Sequence, residues 1–268
     1  MNRLGQHFLK NQKIISDIVE NIEIENNEII FEIGPGHGEL TKEIIKVAEE
    51  KKLNTKIICI EKDVLLYKKL TETFAKNKNV EFINGDALKE LQKIIIKEIK
   101  NKKIKYKIVG NIPYYITGHL FKIIGELERK PEMVIFMIQK EVAERIVSKK
   151  MNRLSASISF WANPKIIIDV PKKYFQPQPK IDSAVIKLKK ITDPSKKEIK
   201  SFDLAIKTIF AQPRKTILNN IASSRFIKTK MTKEKIASSL EKIGTKPDLR
   251  PQDLSINDIK DIINIFIE

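Results

Sequence analysis

Apolar residues recur at helical spacing between residues 11 and 24, where Ile14, Ile15, Ile18, Val19 and Ile22 share one face. An amphipathic helix is predicted there. The pattern then shortens. Glu28 to Ile33 is a compact apolar run that ends in glycines, which predicts a buried strand. Leu40, Ile44, Ile45, Val47 and Ala48 return to the helical period. The same alternation continues with strands at Lys56–Ile60, Val80–Ile83, Ile104–Val109 and Met133–Ile138. Helices are predicted around Leu65–Ala75, Ala87–Ile99 and Thr117–Leu127. Strands separated by helices at this spacing define an α/β architecture, a mostly parallel, doubly wound sheet with helices on both faces.

Beyond about residue 160 the order changes. Lys165 to Val170 and Ala184 to Leu188 read as strands with no long helix between them, joined by a loop that carries Pro171, Pro177 and Pro179. Two strands connected this way are expected as antiparallel neighbours at one edge of the sheet. Lys189 to Ser201, which contains Asp193-Pro194-Ser195, reads as a linker. After it only helical patterns appear, at Phe202–Phe210, Lys215–Ala222, Lys233–Ile243 and Asp253–Phe266. The expected division is therefore a larger domain over residues 1–190 and a small all-helical domain over 191–268.

Composition narrows the function classes. The net charge is +17, with a pI near 9.7, which points to a polyanionic partner, nucleic acid above all. The basic surplus is +11 through Lys189 and +6 beyond it, in proportion to length, so it does not locate the groove. No apolar run reaches the length of a membrane span, and the N-terminal residues lack the apolar core of a signal peptide. The single cysteine, Cys59, lies in an apolar run and excludes an internal disulfide. An inert buried thiol and a cytoplasmic location are expected. His37 and His119 show no metal-ligand spacing with Cys or acidic partners, so no metal site is expected.

The chemistry concentrates at strand ends. Gly34-Pro35-Gly36-His37-Gly38 follows the first long strand, where glycines permit positive φ and close approach of a ligand to the backbone. Glu39 stands where a dinucleotide fingerprint needs a small residue, and the Walker Lys-Ser/Thr ending is absent. Glu61 closes the second strand of the alternation, where a carboxylate can accept both hydroxyls of a ribose. Asp86 closes the third, where it can accept from the amino group of an adenine or simply cap the following helix. Lys62 and Asp63 read as solvated. A glycine loop with carboxylates after successive strands has the form of an S-adenosylmethionine pocket.

Asn111-Ile112-Pro113-Tyr114 follows the next apolar run. An Asn side-chain oxygen and a carbonyl beside a rigid Pro can accept both hydrogens of an exocyclic amine, and a Tyr can stack on its ring. An Asn-Pro turn with a packed Tyr is the alternative.

Together these residues resemble the ribosomal RNA adenine N6,N6-dimethyltransferase family, in its KsgA-type branch acting on small-subunit (16S) rRNA. The resemblance rests on Arg3-Leu4-Gly5-Gln6-His7-Phe8-Leu9, on Gly34 to Gly38 with Glu61 and Asp86, and on Asn111 to Tyr114. It continues through Phe175-Gln176-Pro177-Gln178-Pro179-Lys180-Ile181-Asp182-Ser183. Gln212-Pro213-Arg214-Lys215-Thr216 and Arg250-Pro251-Gln252-Asp253-Leu254-Ser255 extend it over nearly the whole chain. Tyr115 stands where Asn is frequent in that family, and Pro213 where a second Arg is frequent.

The resemblance implies a Rossmann-like S-adenosylmethionine-dependent catalytic domain and a helical RNA- or ribosome-binding domain. It implies cofactor binding by His7, Leu9, Gly34, Gly36, Glu61, Asp86 and Asn111. Asn111, Ile112, Pro113, Tyr114 and Phe175 would act on the flipped adenine, with Tyr114 and Phe175 stacking on it. Arg145, Arg214 and Lys215 are candidate phosphate contacts. The implied reaction is double methylation of two adjacent adenosines in a hairpin near the 3′ end of small-subunit rRNA, within a pre-ribosomal particle, by a monomeric enzyme. The rivals are an Erm-type large-subunit (23S) rRNA dimethyltransferase, a DNA adenine methyltransferase, and a non-catalytic ribosome-assembly or transcription factor on the same fold.

Overall fold

The computed structural model describes residues 6–100, 103–224 and 231–266. The Arg3-Leu4-Gly5 part of the N-terminal motif lies outside the described residues. The chain divides into two compact units, Met1–Glu144 with Pro164–Lys190, and Arg145–Asn163 with Ile191–Glu268.

The first unit is built on a seven-stranded sheet. In chain order its elements begin with β1 (Phe8–Leu9), α1 (Gln12–Ile22), β2 (Ile29–Ile33), α2 (Glu39–Glu50), β3 (Lys56–Glu61) and α3 (Val64–Thr73). They continue with β4 (Val80–Asn84), α4 (Ala87–Ile99), β5 (Tyr106–Asn111), α5 (Thr117–Glu126) and β6 (Met133–Gln139). After α6 (Lys140–Val147) and α7 (Arg153–Ser159) come β7 (Ala162–Val170), β8 (Phe175–Gln176) and β9 (Ser183–Lys190).

The sheet order is β4-β3-β2-β5-β6-β9-β7, and β1 pairs with β8 in a separate two-stranded ribbon. β2 is parallel to both β3 and β5, β3 to β4 and β5 to β6, while β9 runs antiparallel to β6. The chain winds outward from β2 through β3 to β4, then returns to β5 on the other side of β2. The ends of β2 and β5 thus flank a topological switch point, the place where open α/β sheets bind ligands.

The strands read as unbroken apolar runs because helices cover both faces of a parallel sheet. Every residue of β2 is buried, and so is β6 except Gln139. Ile15, Ile18, Val19 and Ile22 of α1 pack into this core with Ile30, Ile57 and Ile135. Two buried polar groups tie layers together. Glu32 of β2 accepts from the Thr41 hydroxyl of α2 at 2.6 Å and from Cys59 Sγ of β3 at 3.5 Å. Lys107 of β5 pairs with Glu28 at 3.0 Å, both fully buried. Pro164 falls within β7, which the sheet tolerates because β7 is its edge strand.

The second unit is helical apart from the start of β7. To α7 it adds α8 (Lys196–Ile209), α9 (Ile217–Ala222), α10 (Lys233–Lys242) and α11 (Ile256–Phe266). Its core gathers Ala156 and Phe160 with Phe202, Ile206, Ile217, Leu240 and Ile259, and the Phe160 and Phe202 rings stack at 3.9 Å. This is the physical reason the segment Arg145–Asn163, assigned above to the 1–190 domain, clusters with the C-terminal residues. The expected linker is also shorter than Lys189–Ser201. β9 runs to Lys190, and α8 begins at Lys196 behind a capping box in which Ser195 and Glu198 satisfy each other's backbone N–H groups.

Candidate active site

Strand registers bring the chemistry-bearing residues to one edge of the sheet. Ile33 of β2 lies opposite Ile60 of β3 and Gly110 of β5. Glu61 ends β3 opposite Asn84 of β4, and Asn111 ends β5 opposite Met137 of β6. A cleft of about 800 Å³, counted with its open mouth, lies across these ends. Among its lining residues are His7, Gly34, Gly36, Glu61, Asp86 and Asn111 through Tyr115.

The glycine loop takes its shape from positive φ at Gly34 (65°), Gly36 (62°) and Gly38 (87°). A Cβ on Gly36 would stand 2.9 Å from the Phe8 ring, so glycine there lets the N-terminal strand close over the loop. Gly110 has an equivalent constraint. A Cβ at that position would meet the Ile33 carbonyl oxygen at 2.5 Å. Close approach of β5 to β2, and with it the position of Asn111, depends on that missing side chain.

Glu61 is 3% exposed. Its carboxylate accepts from the Gly36 N–H at 3.1 Å and the Asp63 N–H at 2.8 Å. Burial pushes its carboxyl up, and these two N–H groups work against that. Asp86 caps α4 through Leu88 N–H at 3.0 Å and also lines the cleft. Its second oxygen accepts from Lys62 Nζ at 2.8 Å, and that hydrogen bond leads the causes that hold its carboxyl below the ordinary range. Lys62 is thus paired at the cleft wall rather than merely solvated.

Asn111 Nδ2 donates to the His7 carbonyl at 2.7 Å, which leaves Oδ1 as the side chain's acceptor. The Ile112 N–H is committed to the Met137 carbonyl at 3.1 Å. Tyr114 is half-buried, its hydroxyl shares a 2.8 Å hydrogen bond with Ser183 Oγ, and its ring is stacked on His7 at 6.1 Å. Burial raises the Tyr114 phenol above its usual range. His7 Nδ1 donates to the Pro177 carbonyl at 2.8 Å. The N-terminal segment, the end of β5 and the proline-rich loop therefore meet around one tyrosine.

Other expected residues lie elsewhere. Phe175 is 5% exposed, pairs with Leu9 across the β1–β8 ribbon and belongs to the core. It is not among the residues lining the cleft, because strand pairing with β1 turns it inward. Leu9 lines a second pocket of about 530 Å³, counted with its open mouth, together with Gly34, Gly36, Ile15, Ile18, Met137 and Glu32. Arg145, Arg214 and Lys215 are exposed in the second unit. There the buried Asn220 holds the Arg214–Lys215 turn, accepting from Gln212 N–H at 3.0 Å and donating to the Gln212 carbonyl at 3.1 Å.

Sequence reasoning missed Gly110, Phe8 and Ser183 as parts of the site. Gly110 carried a signal, since a glycine inside a strand pattern marks close backbone approach. Among the described residues, no group of three or more His, Cys, Asp or Glu is placed to hold a metal ion, and no helix is long and apolar enough to cross a membrane.

A cleft at the switch point of this sheet, lined by a glycine loop and the carboxylates Glu61 and Asp86, is the ligand site of a Rossmann-like fold, and the solved structures that share it make the fold that of a methyltransferase. Solved structures share the fold. A dimethyladenosine transferase from Plasmodium falciparum superposes with a TM-score of 0.76 at 23% identity, covering 96% of each chain. The 23S rRNA methyltransferase ErmE superposes with a TM-score of 0.73 at 21% identity, over 97% of this chain and 100% of that one.

Residues 1–266 match the ribosomal RNA adenine dimethylase family, and the chain belongs to it. Curated relatives named ribosomal RNA small subunit methyltransferase A are similar over almost their full length. The relative from Dehalococcoides mccartyi is 34% identical over 99% of this chain and 88% of its own, and that from Alkaliphilus metalliredigens is 35% identical over 95% and 88%. The methyl donor of this enzyme class is S-adenosylmethionine. The donor set fits it. A buried carboxylate, Glu61, suits a ribose diol, and a second, Asp86, suits an aromatic amine.

Proposed function

We propose that this chain dimethylates N6 of two adjacent adenosines in a hairpin near the 3′ end of small-subunit rRNA. The observation that carries the reading is the Asn111 amide. One of its N–H groups donates to the His7 carbonyl, which fixes the orientation of the amide at the cleft beside a half-buried tyrosine, and its oxygen is then the acceptor offered to the substrate. The relatives' names support the choice of the small subunit.

S-adenosylmethionine supplies an electrophilic methyl group when bound. Glu61 would hold its ribose, Asp86 its adenine, and His7, Gly34 and Gly36 the remainder. Leu9 contributes from the wall of the adjoining pocket, which shares Gly34, Gly36 and Asn111 with the cleft. On the substrate side, Asn111 Oδ1 and the Ile112 carbonyl accept the two amino hydrogens of the target adenine. Accepting both hydrogens draws the nitrogen lone pair out of the ring and makes it a nucleophile, which is catalysis by positioning and electrostatics. Pro113 fixes the turn, and Tyr114 stacks on the extruded base. Phe175 supports this face from within the core. No strong general base is required, because the nitrogen becomes acidic only after it is methylated. His7 Nδ1 is already donating to Pro177.

Arg145, Arg214 and Lys215 contact RNA phosphates, and residues 191–268 serve RNA or ribosome binding. The enzyme works as a cytoplasmic monomer on a pre-ribosomal particle. The test is transfer of tritiated methyl from S-adenosylmethionine to undermethylated small subunits and, separately, to naked large-subunit rRNA, with Asn111→Ala as control. Up to four methyl groups per small subunit, abolished by the substitution, is the expected result. Label confined to large-subunit rRNA would assign the Erm-type activity instead. Binding without label on either RNA would leave an assembly factor.

A further inference from the structure

Tyr115 is 60% exposed, although it sits between the half-buried Tyr114 and the buried Ile116. It lines the cleft together with Lys62 and Asp86. Its backbone is fixed: Pro113 precedes a single 3-10 turn, Tyr114–Ile116, closed by the Ile116 N–H on the Pro113 carbonyl at 3.1 Å and continued directly by α5. A large ring held out from a rigid turn at a cleft mouth is preorganised to cover a flat ligand.

Lys62 supplies the second observation. Its ammonium spans from the end of β3 to the cap of α4, 2.8 Å from Asp86 Oδ2, while Leu88 N–H holds Oδ1 at 3.0 Å. Its side chain is half exposed, and an ion pair so exposed contributes little to folding. What the pair does accomplish is geometric. With one donor on each oxygen, the Asp86 carboxylate has a single orientation toward the cleft.

We propose that Tyr115 and Lys62 form a clasp for the purine end of the cofactor, the Tyr115 ring stacking on the purine face and the Lys62 ammonium orienting the Asp86 carboxylate toward the purine amino edge. The proposal rests on the reading of this cleft as the cofactor site. Tyr115 is then a binding residue, and Lys62 a positioning residue that acts through Asp86. Stacking is indifferent to which groups the purine carries at its edge, whereas the carboxylate selects an amine over a carbonyl. The two residues therefore have separable signatures.

The experiment is calorimetric binding of S-adenosylhomocysteine and of S-inosylhomocysteine, its analogue with a carbonyl in place of the amine, to the full chain and its variants. Tyr115→Ala is expected to weaken both ligands about tenfold or more, and Tyr115→Phe to stay within about twofold of the parent. Lys62→Met is expected to lower the preference for adenine over hypoxanthine toward that of Asp86→Asn, with Lys62→Arg retaining it. Glu61→Gln and Asp86→Asn test the cleft itself. If these two lose affinity while Tyr115→Ala and Lys62→Met retain both affinity and preference, the clasp is overturned and the cofactor site stands. A raised KM for RNA in Tyr115→Ala with unchanged cofactor binding would likewise overturn it and give the ring to a base of the substrate. If Glu61→Gln and Asp86→Asn also bind normally, the cofactor reading of the cleft falls and the clasp with it.

Discussion

Glu32 provides a quantitative test of how the sheet is assembled beneath the glycine loop. It is 1% exposed in the central strand β2, and burial pushes its carboxyl from the ordinary 4.5 up to about 7, against the hydrogen bonds from Thr41 and Cys59 that favour the charged form. The folded protein therefore holds a proton there that the unfolded chain releases near its ordinary value. The stabilisation is complete below the unfolded value and is lost as pH rises through the folded one. A rise from 4.5 to about 7, at about 1.36 kcal/mol per pH unit, corresponds to about 3 kcal/mol.

The perturbation is Glu32→Gln, which keeps the shape and an acceptor for Thr41 but cannot ionise. Urea unfolding of both proteins from pH 4.5 to 8.5 isolates this group, because all other titrations cancel in the difference. The variant should gain on the parent by about 3 kcal/mol between the two ends, with most of the change between pH 5 and 7. Parallel stability profiles across that range would refute the reasoning. They would mean that Glu32 is charged in the folded state and that its partners offset its desolvation fully.

Three further outcomes follow from the packing. Gly110→Ala puts a Cβ 2.5 Å from the Ile33 carbonyl. It should destabilise the first unit by about 1–3 kcal/mol or more in urea titrations and lower methyl transfer with it, and full stability would show that β5 can slide without cost. Burial holds the Cys59 thiol well above its usual range, so Ellman's reagent should leave it unmodified in the folded protein and label it at once in denaturant. Phe202→Ala removes the ring that stacks on Phe160 at 3.9 Å and should cost the helical unit about 3–5 kcal/mol by thermal or urea unfolding. A change below 1 kcal/mol would mean that the core of this unit lies elsewhere.

The elements whose burial is periodic were legible in the chain. The runs ending at Glu61 and Asn84 read as strands stopping one residue early, and the run ending at Asn111 two residues early, because a polar residue or glycine that closes a strand looks like the start of a loop. The small elements were not legible. β1 and β8 are two residues each, too short to carry any period, and they exist only because Leu9 and Phe175 find one another across the fold. α6 and α7 fall where polar residues dilute the apolar stripe. α8 had a local marker, Ser195 three residues before Glu198, that the proline before it obscured.

The site divides along the same line. Residue types and spacing alone determined a glycine loop, a carboxylate at the end of a strand and another just beyond the next, and an Asn-Ile-Pro-Tyr turn, since each is a local requirement for backbone approach or hydrogen bonding. Only the tertiary structure decided which neighbours these groups would have. It set the Asn111 amide on the His7 carbonyl, joined Lys62 to Asp86, turned Phe175 into the core and assigned Arg145–Asn163 to the helical unit. Local chemistry follows from the order of residues, whereas partners distant in sequence are selected by strand register and the burial of whole faces, to which every element contributes at once.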